Sequence, residues 1–304
     1  MKNQLILHLS ESRAHQALKS GIQRGGYAVL QLMLKDLEGM VFPQLMEENV
    51  LNPLGMEQST FGQPLPQKYK EQAAVGHLRT GQPVPGKWHN YPEMAASGLW
   101  TNPSDLSSFA AAVMKTAMGK RRDLISIEKG RSMLTPQIED RGLGVVLQGE
   151  GDNLNFHLEG ENKGYACYMV AYPARGEGAI VMTNGDNGAY LIEEILRGIS
   201  EVYDWPHFET EIKKLYRLKT GILDQYVGRY QMTPDYILTV TYEDYYLVVQ
   251  VPGQKRTKFY VENRTTFFSR SPFTKIRFLR NAQGRVDRLA WKRDDQWREA
   301  KKIE

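Results

Sequence analysis

One continuous stretch, residues 153–187, constrains the fold of this chain more than any other part. Its sequence, NLNFHLEGENKGYACYMVAYPARGEGAIVMTNGDN, holds three apolar runs separated by short segments rich in glycine, asparagine and proline. Apolar runs between turn-forming residues predict consecutive β-strands, here 154–158, 165–172 and 179–183. A helix is predicted next, over 188–203, with one apolar face formed by Leu191, Ile195, Leu196 and Ile199. An antiparallel sheet backed by a long helix is one half of an α/β sandwich.

The same stretch carries a family resemblance. G-x-N-x-G-Y at 160–165, V-A-Y-P at 170–173 and V-M-T-N-G-D at 181–186 resemble the C-terminal half of the β-lactamase-related serine hydrolases. That family includes class C β-lactamases, penicillin-binding D-Ala peptidases and esterases. The segments P-L-G-M at 53–56 and S-G-L-W at 97–100 are similar to further family signatures. The resemblance implies a β-lactamase/transpeptidase-like α+β sandwich, with an antiparallel sheet flanked by helices, that hydrolyses β-lactams, D-Ala peptides or small esters.

The C-terminal part of the chain has a different pattern. Beyond a boundary at 206–221, short alternating runs with aromatic residues recur between turns, at 237–242, 245–251, 258–261, 266–269, 276–279 and 286–291. This spacing predicts a small antiparallel all-β barrel or curved sheet. L-D-Q-Y-V-G-R-Y at 223–230 resembles the start of the lipocalin-like module often appended to the family. We therefore divide the chain into an unassigned segment 1–24, a partial β-lactamase-related domain 25–207 and a lipocalin-like domain 222–304.

Three further local predictions concern the first domain. A helix opens near residue 25 with Tyr27, Leu30, Leu34 and Leu37 at helical spacing. Ser104 is predicted as the N-cap of a helix that ends at about residue 118. Residues 62–92 are rich in glycine, proline and glutamine and lack periodicity, which predicts a long surface excursion.

Composition excludes several classes of function. The 39 basic and 35 acidic residues form no long run of like charge, so we expect no nucleic-acid partner. One cysteine, Cys167, excludes a disulfide framework and a cysteine-rich metal site. His77, His89 and His207 lack metal-ligand spacing, and neither a metal nor a cofactor is expected. No apolar run is long enough for a transmembrane segment, and without a recognisable signal peptide the default location is cytoplasmic, although family members are often exported.

The resemblance also implies where the catalytic residues should lie. The family uses a serine and a lysine in S-x-x-K, which places both side chains on one face of a helix, a tyrosine in Y-x-N, and a K-T-G or H-x-G strand. The sequence has one S-x-x-K, at 126–129, but it lies where the family has an ordinary helix start, so we interpret Ser126 as an N-cap.

The other two motifs are found by counting from matched residues. Ile22 and Arg24 occupy the Y-x-N positions, and Leu158 occupies the histidine position of H-x-G. His157, one residue early, and Gly160 remain as candidate catalytic residues. Because strand side chains alternate between faces, His157 should point away from the cleft.

We interpret the chain as a serine hydrolase by descent that lacks the N-terminal section bearing S-x-x-K and is inactive. One alternative is a binding protein that uses the remnant cleft or the barrel for a small-molecule or peptide ligand. A second alternative is a hydrolase completed by a partner chain. Residues 4–9 are predicted to pair with strand 179–183; without that cover, the exposed sheet edge predicts a homodimer.

Overall fold

The computed structural model describes residues 24–208, 213, 216–254, 256–270, 273–293 and 296–304. The chain divides into two compact units, Met1–Leu196 and Arg197–Glu304, which are described separately below. Within the described ranges, every helix is too short or too polar to cross a membrane. Ile22 and the predicted strand 4–9 lie outside the described residues.

The first unit begins with helices. They are α1 (Arg24–Glu38), α2 (Phe42–Met46) continued by a π-helical turn (Glu47–Leu51), α3 (Gln67–Lys70), α4 (Met94–Ser97), α5 (Pro103–Ala117) and α6 (Ile127–Met133). Pro43 lies in the first turn of α2, where a missing N–H costs no helical hydrogen bond. The N-cap of α5 is Asn102, not the predicted Ser104, because the Asn102 side chain accepts a 2.9 Å hydrogen bond from Asp105 N.

A four-stranded antiparallel sheet follows, in the order β1-β2-β3-β4. Its strands are β1 (Val146–Gln148), β2 (Asn155–Asn162), β3 (Tyr165–Tyr172) and β4 (Glu177–Thr183). The three strands predicted from the sequence are confirmed, with β2 and β4 longer than expected. Helix α7 (Gly188–Tyr203) comes next in the chain, as predicted. Among the described residues β4 pairs with β3 alone.

Helix α5 joins the sheet to the other helices of the first unit. Ala110 and Val113 pack in one apolar cluster with residues of the sheet, Leu147, Phe156, Met169 and Ala171 among them. Ala112 belongs to a second cluster, with α2 and the loop after it: Phe42, Leu45, Leu51, Leu54, Met56 and Phe61. A single helix therefore contributes to both cores, which makes it the central packing element of this unit.

Two predicted apolar faces differ from the structure. On α1, Leu30 and Leu37 are exposed, and Leu34 alone of the predicted leucines packs against a core cluster. On α7, Leu191 and Ile195 are exposed, whereas Ile192, Leu196 and Ser200 are buried. Both helices carry apolar residues around more than half of their circumference, so periodicity did not identify which stripe is covered.

The second unit is a closed eight-stranded antiparallel barrel preceded by a short helix, α8 (Thr220–Leu223). Its strands are β5 (Gly228–Thr233), β6 (Tyr236–Glu243), β7 (Tyr246–Gln250), β8 (Thr257–Val261), β9 (Thr266–Arg270), β10 (Phe273–Arg280), β11 (Val286–Arg293) and β12 (Gln296–Lys302). The predicted barrel is confirmed. Strands β5 and β12, which close it, were not predicted.

The interior of the barrel is filled by side chains, many of them aromatic. Phe278 lies among three other rings: Tyr226 stacks on it at 4.4 Å between centroids, and Phe267 and Tyr230 approach edge-on at 5.6 and 5.7 Å. Tyr226 and Tyr230 hydroxyls donate to the carbonyls of Arg264 and Tyr226, so no hydroxyl of this cluster lacks a partner. The core is thus a packed one, as small barrels require.

We predict that Phe278→Ala lowers the free energy of unfolding of the barrel by about 3–5 kcal/mol, because it leaves a cavity among three rings. Chemical denaturation of the full chain measures the loss. Tyr245→Ala is the matched control, since Tyr245 is an aromatic residue with 40% of its surface exposed. Equal losses for the two variants would contradict a packed interior.

Candidate functional site

Strand β2 places the two candidate histidine positions on opposite faces of the sheet. Leu158 packs against the apolar cluster that α5 shares with the sheet. His157 lies on the other face, where its ring stacks on Tyr168 at 5.5 Å and its Nδ1 lies 3.1 Å from Asn155 Oδ1. The predicted alternation therefore holds within β2, without a bulge between these residues and β3. The side chain facing α5 at this position is apolar.

Gly160, the other candidate residue, lies opposite Cys167 in the sheet. A Cβ added at Gly160 would come within 2.5 Å of Cys167 Sγ, so a side chain here would have to displace that sulfur. Burial raises the pKa of the Cys167 thiol, and a hydrogen bond with the Gly160 backbone offsets this only in part. The thiol is therefore held in its protonated form, which is a poor nucleophile.

Ser126 of the S-x-x-K sequence lies at the start of helix α6. Its Oγ accepts a 3.2 Å hydrogen bond from Lys129 N, which is the geometry of an N-cap. Both Ser126 and Lys129 are exposed, on a helix of seven residues. The interpretation of Ser126 as a helix cap is thus supported by its hydrogen bond.

The T-N-G-D motif at the end of β4 holds residues 62–92, the predicted surface excursion, against the sheet through hydrogen bonds. The Asn184 side chain donates to Val75 O at 2.9 Å, His77 N donates to Asn184 O at 3.0 Å, and Asp186 N donates to His77 O at 2.9 Å. Within the excursion, Leu65 and Val84 are 2% exposed. The predicted surface excursion is therefore partly buried, and its anchors belong to a family motif.

Asp186 also closes the turn between β2 and β3. Its carboxylate accepts hydrogen bonds from Gly164 N at 2.6 Å and from Lys163 Nζ at 2.8 Å. Burial alone would raise the pKa of Asp186, but these two donors outweigh burial and hold it below its usual value. Gly164 has φ +86° and lies against Gly76, where a side chain would overlap the backbone.

Three aromatic side chains line this end of the sheet. Trp88 contacts Trp100 edge-on at 5.4 Å, and Trp100 contacts Tyr165 edge-on at 5.9 Å. The Tyr165 hydroxyl donates to Ala74 O at 2.6 Å, and burial raises the pKa of Tyr165 to about 12. A neutral phenol that donates its proton in a hydrogen bond to a carbonyl does not act as a base near pH 7. The sequence did not predict this aromatic cluster, although Trp100 and Tyr165 are the last residues of two of the motifs quoted above.

The candidate residues are therefore not brought together as an acid–base site. His157 and Leu158 lie on opposite faces of the sheet, Gly160 leaves room for the Cys167 sulfur, and Ser126 caps helix α6. In the described ranges, no three His, Cys, Asp or Glu side chains gather into a group that could hold a metal ion. The end of the sheet is built from aromatic contacts and backbone hydrogen bonds.

Comparison with known proteins identifies the family to which this fold belongs. Residues 23–198 match the family described as Beta-lactamase. The chain belongs to the β-lactamase family. Residues 216–302 match a second family, a domain of unknown function termed DUF3471, which covers the barrel.

Relatives in this family include penicillin-binding proteins. The chain is 23% identical over 281 residues to Penicillin-binding protein 4* of Bacillus subtilis (strain 168), covering 83% of this chain and 60% of that protein. It thus spans about three fifths of the length of this relative.

Two solved structures have a similar fold. One is SurE, with a TM-score of 0.52 and 21% identity over 93% of this chain and 68% of that chain. The other is the octameric penicillin-binding protein homologue from Pyrococcus abyssi, with a TM-score of 0.52 and 18% identity over 91% of this chain and 64% of that chain.

We predict that Gly160→Ala destabilises the first unit by about 1–3 kcal/mol, the usual cost of an overpacked site. The same substitution in a Cys167→Ala background should cost much less, because the overlapping sulfur is gone. Chemical denaturation of the four proteins in a double-mutant cycle measures the coupling. A cost that is the same in both backgrounds would show that another contact requires glycine at this position.

Proposed function

We propose that these 304 residues form a β-lactamase-family protein that does not carry out acyl transfer by itself and acts through binding. The observation that carries the proposal is the packing of Leu158 into the apolar cluster on the α5 side of the sheet, at the position where the resemblance implies a histidine. A leucine there supplies neither a proton nor a hydrogen bond to a reacting group.

The position of Ser126 also supports the proposal. The hydroxyl of Ser126 is used as a helix cap, and its exposed position on α6 provides no enclosed site where a proton acceptor and oxyanion donors converge. Covalent catalysis needs a nucleophile, an adjacent base and aligned donors together. A ligand at the aromatic end of the sheet, small molecule or peptide, would be bound without being cleaved.

The binding partner that we propose is a second copy of this chain. Val29, Met33 and Leu37 recur every four residues on α1, so they lie on one face, and they are 65%, 48% and 72% exposed. Leu30 and Leu32, beside them, are also exposed. A contiguous apolar stripe of this kind marks an interaction surface. That the similar penicillin-binding protein homologue from Pyrococcus abyssi is octameric supports self-association of this fold.

We predict no covalent adduct on this protein after treatment with a fluorophosphonate or a β-lactam, and no hydrolysis of chromogenic β-lactams or short esters above background. Leu158→His should leave both results unchanged, since loss of a positioned acid–base group costs about 10²–10⁴-fold only where a nucleophile exists. Intact-mass spectrometry after treatment measures the adduct.

The control is a class C β-lactamase treated in parallel, which must label. Ser126→Ala is the diagnostic variant. A stoichiometric adduct that disappears in Ser126→Ala would overturn the proposal and make Ser126 a nucleophile, and an adduct that persists would place the nucleophile on another residue.

We also predict that Leu32→Glu with Leu37→Glu shifts the protein from oligomer to monomer, because a charge in an apolar interface must be desolvated. Size-exclusion chromatography with light scattering over a wide concentration range measures the mass. The matched control is Leu191→Glu, which changes an equally apolar, exposed leucine on α7. A wild-type protein that stays monomeric at every concentration would refute self-association while leaving the prediction on labelling intact.

A further inference from the structure

The outward face of the barrel is basic on its last three strands. Ile276, Phe278, Leu289, Trp291 and Ala300 belong to the interior cluster, so the residues that alternate with them point outward. The outward basic residues of β10, β11 and β12 are Lys275, Arg277, Arg288, Lys292 and Lys301. In this surface, named here the basic face, Arg288 lies opposite Lys301 and Lys292 lies opposite Trp297.

Part of this charge is already paired. Arg288 contacts Glu299 at 2.9 Å and Asp287 at 3.4 Å, and Lys275 contacts Glu262 at 2.9 Å. Arg277 and Lys301 are exposed, and neither makes an ion pair with any described residue. Two cations of the basic face are therefore available to an anion from outside.

Aromatic rings accompany the cations. Trp297 is 38% exposed, and the Arg277 guanidinium lies 4.7 Å from its ring centroid. The same arrangement recurs on neighbouring strands, where Arg270 lies 5.1 Å from the centroid of Tyr260 and Lys258 lies 4.5 Å from that of Tyr246.

We propose that the basic face docks on an anionic phospholipid surface. Arg and Lys side chains reach headgroup phosphates while their aliphatic stems lie against apolar groups, and tryptophan prefers the same interfacial depth. A surface of cations around an exposed tryptophan therefore suits both the phosphate region and the more apolar region beneath it in such an interface. This inference concerns the barrel and does not depend on the proposed lack of acyl transfer or on self-association.

The ring contacts favour a lipid surface over a nucleic acid. Single strands are bound by stacking bases on open aromatic faces along a groove. Here Trp297, Tyr260 and Tyr246 each have a cation of this chain over the ring. The outer wall of a closed barrel is also convex, which suits a deformable bilayer better than a strand that needs a groove.

Co-sedimentation of the full chain with vesicles tests the proposal. We expect binding to vesicles of phosphatidylcholine with phosphatidylglycerol, little binding to phosphatidylcholine alone, and weakening by salt. Each cation near an anionic leaflet contributes about fivefold to partitioning, so Arg277→Gln with Lys301→Gln should weaken binding roughly 25-fold. Trp297→Ala should weaken it further by removing the ring from the interface.

The matched control is Arg122→Gln with Lys129→Gln, which removes two exposed cations of the first unit. Binding that is unchanged in this control and lost in the barrel variant supports the proposal. Equal losses in both variants, no binding to anionic vesicles, or displacement of the vesicles by an equal charge of single-stranded oligonucleotide would overturn it. Far-ultraviolet circular dichroism checks that each variant is folded.

Discussion

The packing of helix α5 between two apolar clusters is the interaction on which the first unit depends. Its N-terminus is fixed twice: Asn102 caps it, and the Asp105 carboxylate accepts hydrogen bonds from Gln58 N at 2.8 Å and Ser59 Oγ at 2.7 Å. Asp105 is 8% exposed, so removing its carboxylate would take away a buried acceptor from Gln58 N and would leave Ser59 Oγ with Thr101 Oγ1, 2.7 Å away, as its remaining side-chain partner. Alanines at 110 and 112 let the sheet and the other helices approach α5 closely from two sides. Because one helix belongs to both clusters, a change in α5 affects the packing of both.

The motifs that resemble the family serve this packing. Asn184 and Asp186 hold the excursion of residues 62–92 against the sheet, and Gly164 allows its backbone to pass within van der Waals distance. These structural roles require an amide group, a carboxylate and a residue without a side chain. None of them depends on catalysis. These family signatures therefore have a structural role in the fold of the first unit.

The strands, helix α7 and the barrel could be predicted from the sequence because their signals are local. Apolar runs between glycine, proline and asparagine set the strand ends, and the residues 188–203 form an uninterrupted helical pattern. The buried faces of α1 and α7 could not be predicted. Apolar residues lie around more than half of the circumference of these helices, and tertiary contacts determine which face is covered. Strand β12 was missed because most of its residues are exposed and charged, with Ala300 as its buried residue. Its neighbour β11 directly precedes it in the chain, but its other partner, β5, lies more than 60 residues away, and a local pattern does not encode that pairing.

For the candidate site, alternation along β2 was enough to separate His157 from Leu158, but the sequence could not say what each side chain contacts. The structure shows that Leu158 adds apolar contacts to the core, where a histidine would bring polar nitrogens into the same cluster. Leu158 is half-buried, so its contacts contribute part of the about 1.5–3 kcal/mol that full burial of a leucine side chain contributes. Packing against this cluster therefore favours leucine over histidine at position 158.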